Sequence, residues 1–388
     1  MTISITELAG QLRGLLPQDG KVFPLHEPSI GTAEKEHVLA CLDSTFVSSV
    51  GAYVDRFEEE LKALCQLPHA VATVNGTSAL HLCLLAVGVG RDDEVMVPSL
   101  SFVATSNAVA YTGATPHFVD CEAESLGVCP DKLKSYLADF DKDEKGNCVN
   151  RETGRVVRAL VVMHTFGYIG KMEQLKKICR EAGLKLIEDA AESLGSRRDG
   201  HPAGYWGDCS ALSFNGNKII TTGGGGAVVC RDDEMASSLR HLSTTAKVPH
   251  PWKYEHDAVG FNFRMPNLNA ALGVAQLERL SDFLNRKTGL HQKYVEAFNE
   301  TAEVEILSPK TGQRANHWLN AMILHGSLSD RRDDVLEAFH ALGILARPVW
   351  EPCHQLEMYK NSPSMDLTLT EDLAGRIINL PSSPALLF

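Results

Sequence analysis

Short apolar runs alternate with amphipathic stretches along most of the chain. Between Ala70 and Asp120 the runs VATV, VMV and HFVD are separated by two helical segments. From Arg155 onward the same order returns as ALVVMHTFG, an amphipathic helix and LKLIEDAA. Short buried strands that alternate with helices indicate an α/β fold with a mostly parallel central sheet, covered on both faces. Ligands on such sheets lie at the carboxyl ends of the strands.

The two ends of the chain show different patterns. Ile5, Leu8, Leu12 and Leu15 recur at helical spacing, which predicts a short N-terminal helix. After a change of composition near Pro249–Tyr254, long helical stretches, the strand-like run AMILH and a last helix near Val335–Leu342 predict a smaller α/β domain. We therefore expect an N-terminal extension (1–20), a large domain (21–254) and a small C-terminal domain (255–388).

Composition narrows the class of protein. The chain has 388 residues, of which 44% are hydrophobic and 22% charged, as in an ordinary globular protein. Its net charge of −12, without a basic stripe, argues against a nucleic acid or an anionic membrane as partner. The ten cysteines form no CxxC pair. The sequence has no unbroken apolar stretch of the roughly 18 residues that a membrane span needs, and its first residues do not resemble a leader. We expect a cytoplasmic protein with no membrane span.

One lysine stands out because of its surroundings. Lys218 lies in SFNGNKIITTGGGGA, between an apolar run and four glycines, which places it on a tight loop between two predicted strands. A lysine on a loop is most often a solvated charge. The glycines do not form a Walker loop, since Lys218 precedes them, and they lack the strand and helix context of a dinucleotide site. A module that binds nucleotide phosphate through these glycines is therefore a weak alternative.

Three further stretches stand where strands should end. Asn75–Ser78 (NGTS) follows VATV and precedes a helix, which suits either a phosphate seat or an ordinary helix cap. Asp189 and Glu192 follow the run LKLI, where a carboxylate could bind a metal, a ribose or a protonated ring nitrogen. No metal-ligand pattern supports the first of these, so we expect no metal. Gly260–Gly273 presents an amide and a guanidinium before a helix.

Taken together, these features match one cofactor. Pyridoxal 5'-phosphate requires an amine to bond with its aldehyde, an acid to keep its ring nitrogen protonated, and a helix end to neutralise its phosphate. Lys218, Asp189 and Asn75–Ser78 offer these three groups. The sequence therefore predicts a pyridoxal phosphate site.

At this point the chain resembles a known family, the DegT/DnrJ/EryC1/StrS sugar aminotransferases, which are pyridoxal phosphate enzymes of fold type I (aspartate aminotransferase-like). The resemblance runs from about Phe23 to Ser383 and rests on NGTSALHL, VPSLSFVATSNA, EDAAESLGS, SFNGNK and GFNFRMPNLNAALG. The segments PLHEPSIG, STFVSSVGAYVDRFE, NGNKIITTGGGG and RPVW look like the branch that makes the 4-amino sugar precursor of bacillosamine and legionaminic acid.

The resemblance implies a role for each matching residue. Lys218 would be the Schiff-base lysine and proton shuttle, and Asp189 would pair with the ring nitrogen. The other implied roles are phosphate binding by Gly76, Thr77, Ser78 and Ser213, ring stacking by Phe102, a contact of Glu192 with the ring oxygen where some relatives have Gln, and a phosphate contact by Asn262 from the partner subunit. That last role implies a homodimer with shared active sites. Tyr168 stands where the resemblance leads us to expect His.

The implied reaction transfers an amino group from L-glutamate to C4 of a UDP-linked 4-keto-6-deoxy-N-acetylhexosamine. Transfer at C3 and a perosamine-type GDP-sugar substrate are the alternatives within the fold. A pyridoxal phosphate dehydratase is disfavoured, because that group has another residue in place of Lys218. A non-catalytic regulator is disfavoured by the intact Lys218 and Asp189.

Overall fold

The computed structural model describes residues 3–18, 20 and 22–387. Its helices alternate with strands through most of the chain. The helices are α1 Ile5–Leu15, α2 Thr32–Asp43, α3 Ala52–Cys65, α4 Gly76–Ala86, α5 Ala104–Tyr111, α6 Pro130–Leu137, α7 Met172–Ala182, α8 Asp233–Ser243, α9 Asn267–Glu278, α10 Leu280–Phe298, α11 Arg332–Ala341 and α12 Thr368–Arg376.

The strands fall mainly into one large and one small sheet. They are β1 His69–Thr73, β2 Glu94–Pro98, β3 Thr115–Val119, β4 Asp141–Lys142, β5 Cys148–Val149, β6 Val156–Met163, β7 Lys185–Asp189, β8 Arg197–Arg198, β9 His201–Pro202, β10 Cys209–Ser213, β11 Gly226–Cys230, β12 Val304–Ile306, β13 Gln313–Arg314, β14 Asn320–Leu324, β15 Arg347–Pro348 and β16 Ile377–Leu380.

The large sheet is mostly parallel, as the sequence predicts. Its strand order is β1-β11-β10-β7-β6-β2-β3, and the small hairpin β4-β5 is attached through β5 to β6. Strands β10, β7, β6, β2 and β3 run parallel to one another, whereas β11 is antiparallel to both β10 and β1. Strand β1 therefore points the same way as β10, and the strands that carry the candidate motifs end at the same edge.

Helices cover both faces of this sheet, which explains the unbroken apolar runs. Along β6, Leu160 and Val162 belong to one buried cluster, while Ala159 and Val161 belong to the cluster on the opposite face. Successive side chains of a strand point to opposite faces, so a strand buried on both sides has no polar position in its middle.

A second, antiparallel sheet with the order β12-β14-β16-β15 forms from the C-terminal part of the chain. The predicted N-terminal helix is confirmed as α1, which begins with a capping box between Ser4 and Glu7. Its Leu8 and Leu12 pack in one cluster with Tyr294 and Phe339, so the helix lies on the core of this second sheet. The proposed domain boundaries stay a prediction.

Helix α9 packs on the large sheet although it follows residue 255. Its residues Ala270 and Val274 lie in the cluster that contains Phe57 and Leu212. The helix therefore connects the C-terminal part of the chain to the core beneath the loop of Lys218.

The prediction that the last helix lies near Val335–Leu342 is wrong, because α12 follows α11. The inward face of α12 includes Thr370, whose amide donates to Asp120 Oδ1 at 2.9 Å. A polar residue at a buried position weakens the helical apolar pattern by which such a segment is recognised. Among the described residues, no helix combines the length and the apolar character needed to cross a membrane. All ten cysteines are free, and nine of them are buried, as expected for core residues.

Candidate active site

A cavity of about 310 Å³ opens at the carboxyl edge of the large sheet. Asp189 is the last residue of β7, Ser213 is the last residue of β10, and both line this cavity. Gly76 and Thr77, at the start of α4, and Lys218 also line this cavity. The sheet topology thus gathers residues that are far apart in sequence, as expected for a parallel sheet.

The N-terminus of α4 forms one wall of the cavity. Asn75 caps the helix, with its Oδ1 accepting a hydrogen bond from the amide of Ser78 at 2.8 Å. The amides of Gly76 and Thr77 lie in the first turn, where a helix supplies no acceptor. A Cβ on Gly76 would lie 2.7 Å from Cβ of Ser213, so only glycine lets the helix end approach that hydroxyl so closely. Free amides, a hydroxyl and the positive helix end suit a phosphate group.

The loop that carries Lys218 is held at its base. The amide of Phe214 donates to the carbonyl of Gly225 at 2.8 Å, and the amide of Thr222 donates to the carbonyl of Phe214 at 2.9 Å. From α9, the side-chain amide of Asn269 donates to the carbonyls of Thr222 and Gly224. The loop is therefore a fixed platform, tied to both the sheet and α9.

The side chain of Lys218 points into a partly closed site, where only 12% of it is exposed. Its Nζ lies 3.2 Å from Oε1 of Glu192 and 3.9 Å from the centre of the Trp318 ring. The Trp318 indole donates in turn to the carbonyl of Asn217 at 2.7 Å, which fixes the ring against the loop. A carboxylate and an aromatic face both attract the ammonium form of a lysine.

Asp189 is buried in the floor of the cavity. Its Oδ2 accepts a hydrogen bond from Thr105 Oγ1 at 2.7 Å, and its Oδ1 accepts one from the amide of Ala191 at 3.2 Å. Burial raises the pKa of this carboxyl, while the hydrogen bond from Thr105 and the positive charge of Lys218 act in the opposite direction. A buried carboxylate that lacks a full counterion is well suited to a cationic ring nitrogen.

Glu192 is the second acid of the site, and only 1% of its side chain is exposed. Its Oε2 accepts a hydrogen bond from the amide of Phe166 at 2.9 Å. Burial raises the pKa of this carboxyl to about 7, against the charge of Lys218 and the Phe166 amide, which both lower it. The side-chain amide of Asn316 holds the carbonyls of Glu192 and Leu194, so the segment is anchored as well as buried.

The structure brings most of the sequence-predicted residues together. Seven of them line the cavity: Gly76, Thr77, Phe102, Asp189, Glu192, Ser213 and Lys218. Ser78 is buried and does not line the cavity. Its amide donates to the side chain of Asn75, which caps the helix. Asn262 is exposed, pairs with Thr244 in an isolated bridge and lies outside the cavity of its own chain.

Tyr168 is excluded from the cavity by its packing. The side chain is fully buried, and its hydroxyl donates to the carbonyl of Leu307 at 2.5 Å. It links the segment after β6 to the C-terminal part of the chain. The structure gives this tyrosine a role in packing.

The sequence analysis missed several residues of the site. Trp318 and Trp350 line the cavity from the C-terminal part of the chain, and Phe102 lies 6.2 Å from the Trp350 ring. Thr105, on α5, orients Asp189. Trp350 lies in RPVW and Thr105 in VPSLSFVATSNA, two segments noted only for their resemblance, whereas Trp318 carries no local signal that distinguishes it from a core residue.

These groups fit pyridoxal phosphate. The helix end and Ser213 offer donors for a phosphate, Asp189 offers an acceptor for the ring nitrogen, and Lys218 offers an amine. Phe102, Trp318 and Trp350 give the cavity an aromatic lining suited to a flat ring.

The comparisons with known proteins agree with this chemistry. The profile of the DegT/DnrJ/EryC1/StrS aminotransferase family matches residues 28–387. The GDP-perosamine synthase of Caulobacter vibrioides is 36% identical over 361 residues, which cover 92% of each chain. That of Vibrio cholerae is 35% identical over 368 residues, with 94% of this chain and 95% of the relative covered.

A solved structure shows the same fold. The aminotransferase TlmJ from Streptoalloteichus hindustanus superimposes with a TM-score of 0.85 at 27% identity, covering 94% of each chain. The fold is thus that of pyridoxal phosphate aminotransferases of fold type I, with a largely parallel sheet and the candidate cofactor site at its carboxyl edge. The chain belongs to the DegT/DnrJ/EryC1/StrS aminotransferase family and is a pyridoxal phosphate-dependent sugar aminotransferase.

Proposed function

We propose that the protein transfers the amino group of L-glutamate to C4 of a UDP-linked 4-keto-6-deoxy-N-acetylhexosamine. The product is the UDP-linked 4-amino-4,6-dideoxy sugar, made in the cytoplasm for a bacterial glycan of the bacillosamine or legionaminic acid type. The observation that carries this proposal is the packing of two segments, PLHEPSIG and STFVSSVGAYVDRFE, along α9.

Helix α9 holds both segments beside the loop of Lys218. The side-chain amide of Gln276 donates to the carbonyl of Ser29 in the first segment at 2.9 Å. Asn267 also binds the second segment: its side chain donates to the carbonyl of Phe46 at 2.6 Å and accepts from the amide of Tyr53 at 3.1 Å. Because Asn269 of the same helix ties down the glycine loop, the residues that carry the branch resemblance lie next to the catalytic platform.

The reaction follows from what each residue of this chain can do. Pyridoxal phosphate, when bound, would supply an electron-accepting ring and an aldehyde carbon that takes up the amino group of one substrate and passes it to the other. Asp189 keeps the ring nitrogen protonated, since it is a buried acid held in place by Thr105. Lys218 acts as the base that removes the α-proton of glutamate and as the acid that delivers a proton to C4 of the sugar. Both half-reactions use one site, so we expect ping-pong kinetics.

A GDP-linked 4-keto-6-deoxy sugar is the second candidate. It is favoured by the two GDP-perosamine synthases, which match more than 90% of this chain. The residues of the cavity described above serve the cofactor and do not distinguish between the two nucleotides.

Product analysis tests the proposal directly. The purified protein is incubated with L-glutamate and either the UDP-linked or the GDP-linked 4-keto-6-deoxy sugar, and the product is identified by NMR. We expect an amino group at C4 of the UDP-linked sugar, and no product with the Lys218→Ala variant. Turnover of the GDP-linked sugar alone, or an amino group at C3, would contradict the proposal.

We also propose that the protein acts as a homodimer in which Asn262 reaches the phosphate site of the partner subunit. Asn262 is exposed and lies outside the cavity of its own chain. The segment before it exposes large hydrophobic side chains, with Trp252 77%, Tyr254 83% and Val259 87% exposed. Exposed apolar groups clustered along one segment mark an interaction surface.

Mixed dimers test this arrangement. Lys218→Ala and Asn262→Ala subunits, each impaired alone, should regain about a quarter of wild-type activity when refolded or co-expressed together, because half of the dimers then contain one intact site of two. Light scattering measures the dimer, and the steady-state rate measures the recovery. Mixtures no more active than the separate variants would refute a shared site.

A further inference from the structure

We propose that Glu192 is the proton acceptor for Lys218. The proton moves from Nζ of Lys218 to Oε1 of Glu192, so one N–H bond breaks, one O–H bond forms, and the net charge of the pair stays zero. The step turns an ammonium group into the neutral amine that a nucleophile and base requires. The inference rests on Lys218 being the lysine that bonds with the cofactor.

The geometry of the pair supports direct transfer. Nζ of Lys218 and Oε1 of Glu192 are 3.2 Å apart, within hydrogen-bond distance. The other oxygen, Oε2, is occupied by the amide of Phe166. The carboxyl is therefore oriented, with one oxygen fixed by the backbone and the other facing the amine.

Burial favours the neutral form of this pair. The side chain of Glu192 is 1% exposed and that of Lys218 is 12% exposed, so both charges are removed from most of the solvent. A buried ion pair loses much of its hydration energy, whereas a neutral amine beside a neutral carboxyl does not. The amine can thus lose its proton without releasing it to water, and the same proton remains available to return to Lys218.

Other titratable groups around the pair do not compete for this role. Asp189 lies on the same segment as Glu192, and its negative charge favours protonation of Glu192. Burial lowers the pKa of His26 well below its usual range, and the positive charges of Lys287 and Lys218 act in the same direction. His164 is engaged by Glu188 at 2.8 Å. Glu192 is the carboxyl that makes a hydrogen bond to Nζ of Lys218 in the described residues.

The proposal predicts a distinctive pH dependence for cofactor uptake. Protein stripped of its cofactor is mixed with pyridoxal phosphate, and the rate of incorporation is followed by absorbance between about pH 6 and pH 9. In the wild type the pair of Lys218 and Glu192 loses one of its two protons near pH 7 and shares the remaining proton above that pH, so the rate should level off there. In Glu192→Gln the amine must release its proton to solvent, so the rate should keep rising by up to about tenfold per pH unit above pH 7.

Two further variants make the result decisive. Glu192→Asp keeps a carboxyl and should restore the plateau, which a purely structural role would not require. Glu124→Gln removes an exposed carboxyl that pairs with Lys171 at 3.4 Å, and should behave as wild type. Dividing the rate of each variant by the wild-type rate at the same pH removes the contribution of the cofactor's own titration.

A Glu192→Gln profile parallel to wild type at every pH would overturn the proposal, as would an aspartate variant that lacks the plateau. Circular dichroism establishes that each variant is folded. The experiment uses no sugar nucleotide, so its outcome is independent of which sugar the protein accepts. If another lysine held the cofactor, Lys218→Ala would still take it up covalently, which separates failure of that assignment from failure of the role of Glu192.

Discussion

Replacing Lys218 by alanine is expected to lower the rate of amino transfer by at least about 10⁴-fold, with the fold intact. In the proposed mechanism this side chain supplies both the covalent tether and the proton carrier, and no second lysine lines the cavity in the part of the chain that the structure describes. The loss should appear in both half-reactions, measured separately with glutamate and with the keto sugar. The absorbance of the covalently held cofactor should disappear with it.

A lysine on the surface provides the control for this variant. Lys177, on α7, is 66% exposed and does not line the cavity, so Lys177→Ala should retain wild-type turnover. The melting temperatures of both variants should stay close to that of the wild type without cofactor. A Lys218→Ala protein that transaminates at the wild-type rate would refute the proposed mechanism.

Replacing Asp189 by alanine should lower turnover by about 10³-fold while leaving some cofactor bound. In the proposed mechanism the carboxylate would accept the hydrogen bond of the ring nitrogen, and without it the ring would lose much of its capacity to withdraw electrons. The phosphate seat at the start of α4 is untouched by this change, so binding is weakened but not lost. Single-turnover rates with glutamate measure the chemical step, and fluorescence titration measures cofactor binding.

The variant Asp189→Asn separates shape from charge. An asparagine can still accept the hydrogen bond from Thr105, but it carries no negative charge. We expect it to be nearly as slow as Asp189→Ala, since the charge stabilises the protonated ring. If Asp189→Asn turned over at close to the wild-type rate, Asp189 would have no electrostatic role in the reaction.

The residues at strand ends were predictable from sequence because their signals are local. Asp189 and Ser213 each follow a buried apolar run, and Gly76 opens a helix directly after one. In a mostly parallel sheet such positions meet at one edge, so the sheet topology alone predicts that they come together. The structure also explains why residue 76 is a glycine, because any side chain there would collide with Ser213.

The rest of the site depends on contacts between distant segments. Trp318 reaches Lys218 from 100 residues further along the chain, and nothing in its neighbourhood marks it as different from a core tryptophan. The protonation of Glu192 depends on its burial and on the placement of Lys218 and Asp189, which no sequence pattern specifies. The sequence predicts a tight loop around Lys218, but the hydrogen bonds by which Asn269 anchors this loop are seen only in the structure.

The buried carboxyls of the cavity also affect the stability of the fold. Asp189 and Glu192 are both buried, and burial raises the pKa of each carboxyl. Such groups are retained at catalytic sites although apolar residues would be more stable there. Hydrogen bonds from Thr105 and from the amide of Phe166 hold these carboxyls in place, and Asn316 holds the backbone carbonyl of Glu192.

The account depends above all on Lys218 being the residue that bonds with the cofactor. Reduction of the native protein with borohydride makes that bond permanent, and peptide mapping by mass spectrometry then identifies the modified residue. We predict that the phosphopyridoxyl group is found on Lys218, in the peptide that contains SFNGNK. Its presence on any other lysine, or its absence from a protein that transaminates, would contradict the account.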